Sequence, residues 1–127
     1  MQLERILQKH GFGTRKACRA MIRDERVTVA GSCLDDPFAD LPTDGLVFAV
    51  DGVDWPYCEF ASLLLHKPAG YECSRKPQHH PSVLELLPLP LRERGVQPIG
   101  RLDEDTTGLL LVTDDGQLNH QDRKSVV

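Results

Sequence analysis

Residues 98–113 read PIGRLDEDTTGLLLVT, a short strand that enters a polar turn from which a fully apolar strand leaves. Gly108 closes the turn, and the four residues after it are all leucine or valine, as expected for a buried strand. A turn between two buried strands fixes its side chains. On an extended backbone Arg101 and Asp103 lie on the same side, close enough for an ion pair. An adjacent arginine keeps a carboxylate ionised, so Asp103 is a candidate nucleophile or base.

Two other interpretations of this turn are open. The run Asp103, Glu104, Asp105, followed by two threonines, is also typical of an acidic turn held by Asx and threonine hydrogen bonds. A divalent cation on the three carboxylates is a weaker hypothesis, because consecutive residues seldom converge on one ion and no EF-hand spacing follows. We therefore expect no metal at this turn.

A second strand and an irregular segment lie upstream. Residues 61–66 predict a buried strand that ends in KPAGY, where Pro68 and Gly70 interrupt regular backbone. The serine-to-glutamate spacing of Ser82 and Glu85 predicts a capping box that opens a short helix through residue 87, and the prolines at 88 and 90 are expected to end it.

Between these features, residues 74–81 read SRKPQHHP and predict a polar loop. Arg75, Lys76 and two histidines place basic groups within reach of a polyanion. The pair His79 and His80 lacks a carboxylate partner at metal-binding spacing, so a surface loop is the better interpretation.

The first quarter of the chain predicts two helices. Leu3, Ile6 and Leu7 form the buried stripe of a helix over residues 2–10, which glycines at 11 and 13 end. Thr14 can cap a second helix over residues 15–24, and the alternating VTV at 27–29 then predicts a short strand that turns back at Ala30 and Gly31.

Charge is unevenly distributed along the chain. The net charge of −4 argues against a general nucleic-acid binder, yet residues 1–26 hold seven Lys or Arg against three acids. Arg15, Arg19 and Arg23 recur every four residues and form one row on the second helix. With Glu4 and Asp24 expected elsewhere, the row is predicted to be unpaired and to face a phosphate backbone. A merely solvated helix face is the alternative.

The first helix, the turn, the basic helix and the VTV hairpin together resemble the S4-type RNA-binding module, also called the alpha-L motif, over residues 1–48. Glu25 and Ala30 depart from residues common in that family. The resemblance implies that Arg15, Lys16, Arg19 and Arg23 contact structured RNA, largely by shape and phosphate. The residues that carry it are Leu3, Leu7, Gly11, Thr14, Arg15, Ala17, Ile22, Arg26, Val27, Val29 and Gly31.

The second half resembles the pseudouridine synthases that modify ribosomal RNA, through LLHKPAGYECS at 64–74 and GRLDEDTTGLLLVTDDGQL at 100–118. This resemblance implies that Asp103 is the catalytic aspartate and Arg101 its positioning and ion-pair partner. It also implies that no cofactor is needed, and that Arg75 and Lys76 help to hold the RNA. An S4-type domain before the catalytic domain points to the subfamily that acts on small-subunit (16S) rRNA.

The predicted fold is α+β: a small N-terminal S4-type (alpha-L) RNA-binding domain at 1–48, followed by the N-terminal part of a mixed or antiparallel-sheet pseudouridine synthase domain at 61–121. Residues 49–60 predict a connecting hairpin with its turn at Asp51 and Gly52. Residues 122–127 do not resemble the family's continuation, which would supply a Lys-x-Tyr element, so we expect a truncated chain with an atypical tail. The expected partner is ribosomal RNA or a small-subunit assembly intermediate.

Composition and leader signals set the remaining expectations. The four cysteines are scattered, which predicts free thiols in a reducing cytoplasm. No signal-peptide pattern is present, and the apolar runs are too short to span a bilayer, so we expect no membrane partner. We expect the protein to be a monomer. Two alternatives remain: a non-catalytic structured-RNA-binding module, and a synthase for large-subunit rRNA.

Overall fold

The computed structural model describes residues 1–74 and 77–116. Helices and antiparallel sheets form two compact units, the first spanning Met1–Glu59 and the second beginning at Phe60. Within the described residues, no helix is long and apolar enough to cross a membrane. Each unit has a hydrophobic core of its own.

The two helices predicted for the first unit are confirmed. Helix α1 spans Leu3–Lys9 and helix α2 spans Arg15–Arg23. The apolar stripe of α1 is completely buried, as its spacing requires. The Thr14 hydroxyl accepts a hydrogen bond of 3.1 Å from the backbone N–H of Ala17, which satisfies one of the unpaired amides at the start of α2.

A four-stranded antiparallel sheet completes the first unit, with strand order β2-β1-β3-β4. Phe48 of β3 stands opposite Trp55 of β4, and both pack into the core that α1 covers. The strands are β1 at Val27–Val29, β2 at Ser32–Cys33, β3 at Val47–Val50 and β4 at Val53–Pro56.

The hairpin that we expected to connect two domains is instead part of the first unit. Strand β3 pairs with β1, and the boundary placed at residue 48 falls inside β3. The reason is burial: Phe48 and Val50 face the core and must be covered by the helices. Beyond the hairpin, the backbone N–H of Cys58 donates to Nε2 of the buried His10 at 2.9 Å, which ties this segment to the end of α1.

The second unit is a three-stranded antiparallel sheet with order β5-β7-β6, covered by short helices. Strand β5 spans Ser62–Lys67, β6 spans Gln97–Ile99 and β7 spans Gly108–Thr113. The predicted helix after Ser82 is a single 3-10 turn, Val83–Leu86, in which the Ser82 hydroxyl accepts from the N–H of Leu84 at 3.2 Å.

The short helix ends at Leu86, just before the prolines, as expected. A further helix that the sequence did not predict, α3, spans Leu89–Glu93 and carries Pro90 in its first turn. Proline is well placed there, because its fixed φ suits the first turn and the N–H that it lacks would have no intrahelical acceptor.

A buried ion pair stabilises this sheet at the end where β5 begins and β7 ends. The Asp114 carboxylate accepts hydrogen bonds from the Arg94 guanidinium at 2.7 Å and from the backbone N–H of Ala61 at 2.8 Å. The two charged side chains are only 3% and 15% exposed. The pair joins the end of β7 to the start of β5 and to the segment after α3.

Candidate active site

The turn that carries Arg101 and Asp103 joins β6 to β7, as the sequence predicts. Strand β6 ends at Ile99 and β7 begins at Gly108, so residues 100–107 form a loop at one end of these strands. The backbone N–H of Thr106 donates to the Asp103 carbonyl at 2.9 Å, so the chain turns at Asp103.

A buried lysine supports this turn from behind. Lys67, the last residue of β5, is completely buried, and its ammonium donates to the carbonyls of Pro68 at 3.0 Å, Glu104 at 3.0 Å and Thr106 at 2.7 Å. The backbone N–H of Gly70 also donates to the Glu104 carbonyl, at 2.6 Å. The KPAGY segment and the turn that carries Asp103 are therefore held together by hydrogen bonds to backbone atoms.

From the sequence alone, Lys67 belongs to the KPAGY motif and has no assigned role. A signal was present: Leu63, Leu65 and Lys67 alternate along β5 and so share the face that packs on the core. A lysine at an inward position must find acceptors, because an unpaired buried ammonium is very costly.

A groove of about 600 Å³ opens beside the turn. Arg101 and Asp103 both line it, which places the two predicted catalytic side chains in one site. The opposite wall comes from the segment that follows KPAGY. Among the described residues, the lining consists of Glu72, Cys73, Ser74, Gln78, Arg101, Leu102, Asp103, Glu104 and Asp105.

The predicted ion pair between Arg101 and Asp103 is wrong. Among the described residues no salt bridge joins them, and both side chains are exposed. Leu102 packs against the core of the unit, and the charged side chains on either side of it stay in solvent, where an ion pair gains little. Arg101 and Asp103 therefore share the groove without an ion pair.

Hydrogen bonds of Glu72 hold together the two ends of the segment that forms the opposite wall. Glu72 donates its N–H to the Pro81 carbonyl at 2.9 Å and accepts from the N–H of Val83 at 2.9 Å, while its carboxylate accepts from the N–H of Gln78 at 2.8 Å. The two basic residues expected to hold RNA from this loop, Arg75 and Lys76, lie outside the described residues.

The expectation that the histidine pair has no carboxylate partner is also wrong. Nε2 of His80 lies 2.8 Å from a carboxylate oxygen of Glu104, so the partner comes from the turn that joins β6 to β7. Sequence spacing could not show this contact, because the two residues belong to different segments. Across residues 1–74 and 77–116, no group of three or more His, Cys, Asp or Glu side chains could hold a metal ion.

In the first unit, the row of arginines on α2 is partly paired. Arg19 forms an ion pair with Glu4 of α1 through its Nε, and its guanidinium lies 5.1 Å from the centre of the Phe38 ring. This hydrogen bond lowers the pKa of the Glu4 carboxyl, although burial opposes it. Arg15 and Arg23 are exposed and lower that pKa further by their charge.

The prediction of an unpaired row is therefore wrong at its centre. Glu4 faces α2 because α1 and α2 pack side by side, an arrangement that spacing within α2 cannot reveal. Arg15, Lys16 and Arg23 keep their exposed positions.

Comparison with known proteins identifies the second unit. The family model for RNA pseudouridylate synthase matches residues 61–125, just over half of the chain and the whole of the groove. The chain belongs to this family.

Relatives within the family match along nearly the whole chain. An uncharacterized RNA pseudouridine synthase of Bacillus subtilis is 33% identical over 121 residues, which are 95% of this chain and 51% of that protein. The ribosomal small subunit pseudouridine synthase A of Salmonella typhimurium is 34% identical, with 95% and 52% covered. The ribosomal large subunit pseudouridine synthase B of Vibrio cholerae is 36% identical, with 92% and 38% covered.

The chain spans about half the length of most of these relatives. A crystal structure of a pseudouridylate synthase is similar over 95% of this chain and 51% of that one, with 27% identity and a TM-score of 0.44.

Proposed function

We propose that this protein acts in the conversion of a specific uridine of ribosomal RNA to pseudouridine, with Asp103 as the catalytic carboxylate. The observation that carries the proposal is the position of Asp103: it is exposed in the groove, on a turn that Lys67 and Gly70 hold from behind. A carboxylate on a fixed backbone beside a groove is suited to act on a bound nucleotide.

The reaction requires few chemical groups beyond such a carboxylate and a place to bind the nucleotide. The bond between uracil N1 and the sugar breaks, the base rotates, a bond forms from C5 to the same sugar carbon, and the proton lost from C5 is balanced by one gained at N1. Electrons balance without an oxidant or reductant, so the proposal includes no cofactor. The uridine must leave its stack to reach Asp103, and Arg101 in the same groove would help to position it.

RNA binding is proposed for both units. The first unit would act as an S4-type module whose exposed side chains Arg15, Lys16 and Arg23 contact phosphates, while Arg19 contributes through its pair with Glu4. Arg75 and Lys76 would extend this contact near the groove.

Small-subunit rRNA, free or in an assembly intermediate, is the substrate that we propose, bound by a monomer in the cytoplasm. The relative from Salmonella typhimurium, which is named for the small subunit and matches 95% of this chain, supports this choice. A large-subunit substrate is the second candidate, because the relative from Vibrio cholerae is named for the large subunit and is 36% identical.

The test compares Asp103→Asn with Asp105→Asn, a neighbouring carboxylate on the same turn. Release of tritium from C5-labelled uridine is measured on small-subunit and large-subunit rRNA, since bonding at C5 expels that hydrogen. Asp103→Asn should abolish release while RNA binding persists, and Asp105→Asn should retain most of it. Turnover retained by Asp103→Asn would contradict the assignment of Asp103 as the catalytic carboxylate.

Because the chain spans about half of its relatives, the assay is run on the chain alone and on the chain joined to the remaining half of the Salmonella typhimurium relative. RNA binding without turnover in both forms would favour the non-catalytic binding module instead.

A further inference from the structure

One contact joins the two segments that border the groove. His80 Nε2 and the Glu104 carboxylate are 2.8 Å apart, and each side chain is a little less than half exposed. Glu104 directly follows Asp103, whereas His80 lies two residues after Gln78, which lines the opposite wall. This contact therefore links the catalytic turn to the segment facing it.

The two ends of the contact are held differently. The backbone of Glu104 is anchored, since its carbonyl accepts from the Lys67 ammonium and the Gly70 N–H. The segment that carries His80 is held at its base by Glu72 and near its middle by the N–H of Gln78. A link from His80 to an anchored residue thus sets how far this segment stands from Asp103.

The contact also engages one of the acidic groups of the groove. Among the described lining residues there are four carboxylates, from Glu72, Asp103, Glu104 and Asp105, beside the Arg101 guanidinium. A carboxylate without a partner repels phosphate. His80 contacts the Glu104 carboxylate, while the Glu72 carboxylate accepts the N–H of Gln78.

We propose that His80 and Glu104 form a clasp that positions the 77–82 segment beside Asp103 and prepares the groove for a single-stranded uridine segment of RNA. This inference rests on the proposed function. His80 acts as a positioning residue through Glu104, and it lowers the ordering cost that the RNA would otherwise meet on binding.

The clasp lies among charged groups from both segments. The charged groups on the turn that faces His80 are Arg101, Asp103, Glu104 and Asp105. On its own segment they are Glu72 and His79, with Arg75 and Lys76 outside the described residues.

The first experiment measures the clasp without RNA, through hydrogen exchange at the Gln78 amide. At pH 6, His80→Ala should speed this exchange about two- to fivefold, the range expected for a partly exposed ion pair. Glu104→Gln should give a similar rise, and the double variant should add little to either. The matched control is His79→Ala, which should leave the rate unchanged. Equal rates in His80→Ala and the wild type would overturn the clasp.

The second experiment measures binding of a short single-stranded RNA containing uridine, by fluorescence anisotropy at about pH 6 and about pH 8. His80→Ala should weaken binding about two- to fivefold, whereas His79→Ala should have little effect. His80→Lys, which places a permanent charge beside Glu104, should bind more tightly than the wild type, whereas His79→Lys should not.

Equal gains from His80→Lys and His79→Lys would overturn the positioning role, because added charge alone would then explain them. The proposed function fails in a different way, by the wild-type chain binding no RNA at either pH. Gln78 exchange does not depend on that result.

Discussion

The ammonium of Lys67 donates a 2.7 Å hydrogen bond to the carbonyl of Thr106, although the two residues are 39 positions apart in the chain. With its bonds to Pro68 and Glu104, the same ammonium joins the end of β5 to the turn that carries Asp103. Three carbonyl dipoles surround a charge that is fully removed from water. The geometry of the candidate site thus depends on a side chain that does not line the groove.

Replacing Lys67 with methionine should destabilise the second unit. The aliphatic stem is kept, but the carbonyls of Pro68 and Thr106 lose this donor, while that of Glu104 keeps the Gly70 N–H. A buried acceptor without a partner costs about 1–3 kcal/mol. We expect a loss of roughly 3 kcal/mol in the free energy of unfolding, measured by urea denaturation followed by circular dichroism. The control, Lys16→Met, changes an exposed lysine of α2 and should alter stability little. Equal stability of the two variants would contradict the role of the buried ammonium.

The buried pair of Arg94 and Asp114 should be equally sensitive to change. Asp114→Ala removes the carboxylate that accepts from Arg94 and from the N–H of Ala61, and breaking a buried pair is costly. A loss of roughly 3 kcal/mol is expected in the same denaturation experiment. Asp44→Ala, an exposed aspartate in the other unit, is the matched control and should be near neutral. A loss no greater than that of the control would rule out a stabilising role for the pair.

The pair of Glu4 and Arg19 predicts a pH dependence for the first unit. Because Arg19 lowers the pKa of Glu4 below its ordinary value of 4.5, the ionised form is favoured in the folded state. The resulting stability is present above pH 4.5 and is lost as the pH falls through the lowered pKa. Thermal unfolding followed by fluorescence of Trp55, the single tryptophan, should show this loss. In Glu4→Gln the loss should shrink; an unchanged acid transition would contradict the prediction.

The arginines of α2 should differ in their effects on RNA. Arg15→Ala and Arg23→Ala should each weaken binding to structured rRNA and reduce the slope of log affinity against log salt by about 1. Arg19→Ala should chiefly destabilise the first unit, since Arg19 pairs with Glu4. Filter binding at several salt concentrations, with unfolding measured in parallel, separates the two outcomes. An unchanged slope in both Arg15→Ala and Arg23→Ala would remove this helix from the RNA interface.

Local features of this chain follow from sequence alone. The threonine cap of α2, the leucine stripe of α1 and the strands on either side of the catalytic turn depend on residues within a few positions of one another. The alternation of side chains along β5 also puts Lys67 on the inner face, although neither this position nor the acceptors of its ammonium were predicted.

By itself, then, the sequence determined the two helices of the first unit, the principal strands and the two motifs that carry the family resemblance. Only the tertiary structure decided that Glu4 pairs with Arg19, that His80 reaches Glu104, and that Arg101 shares a groove with Asp103 without an ion pair. The reason is physical: periodicity and capping act between chain neighbours, whereas these contacts depend on how separate segments pack. A side chain's partner is set by that packing, which spacing along one segment does not contain.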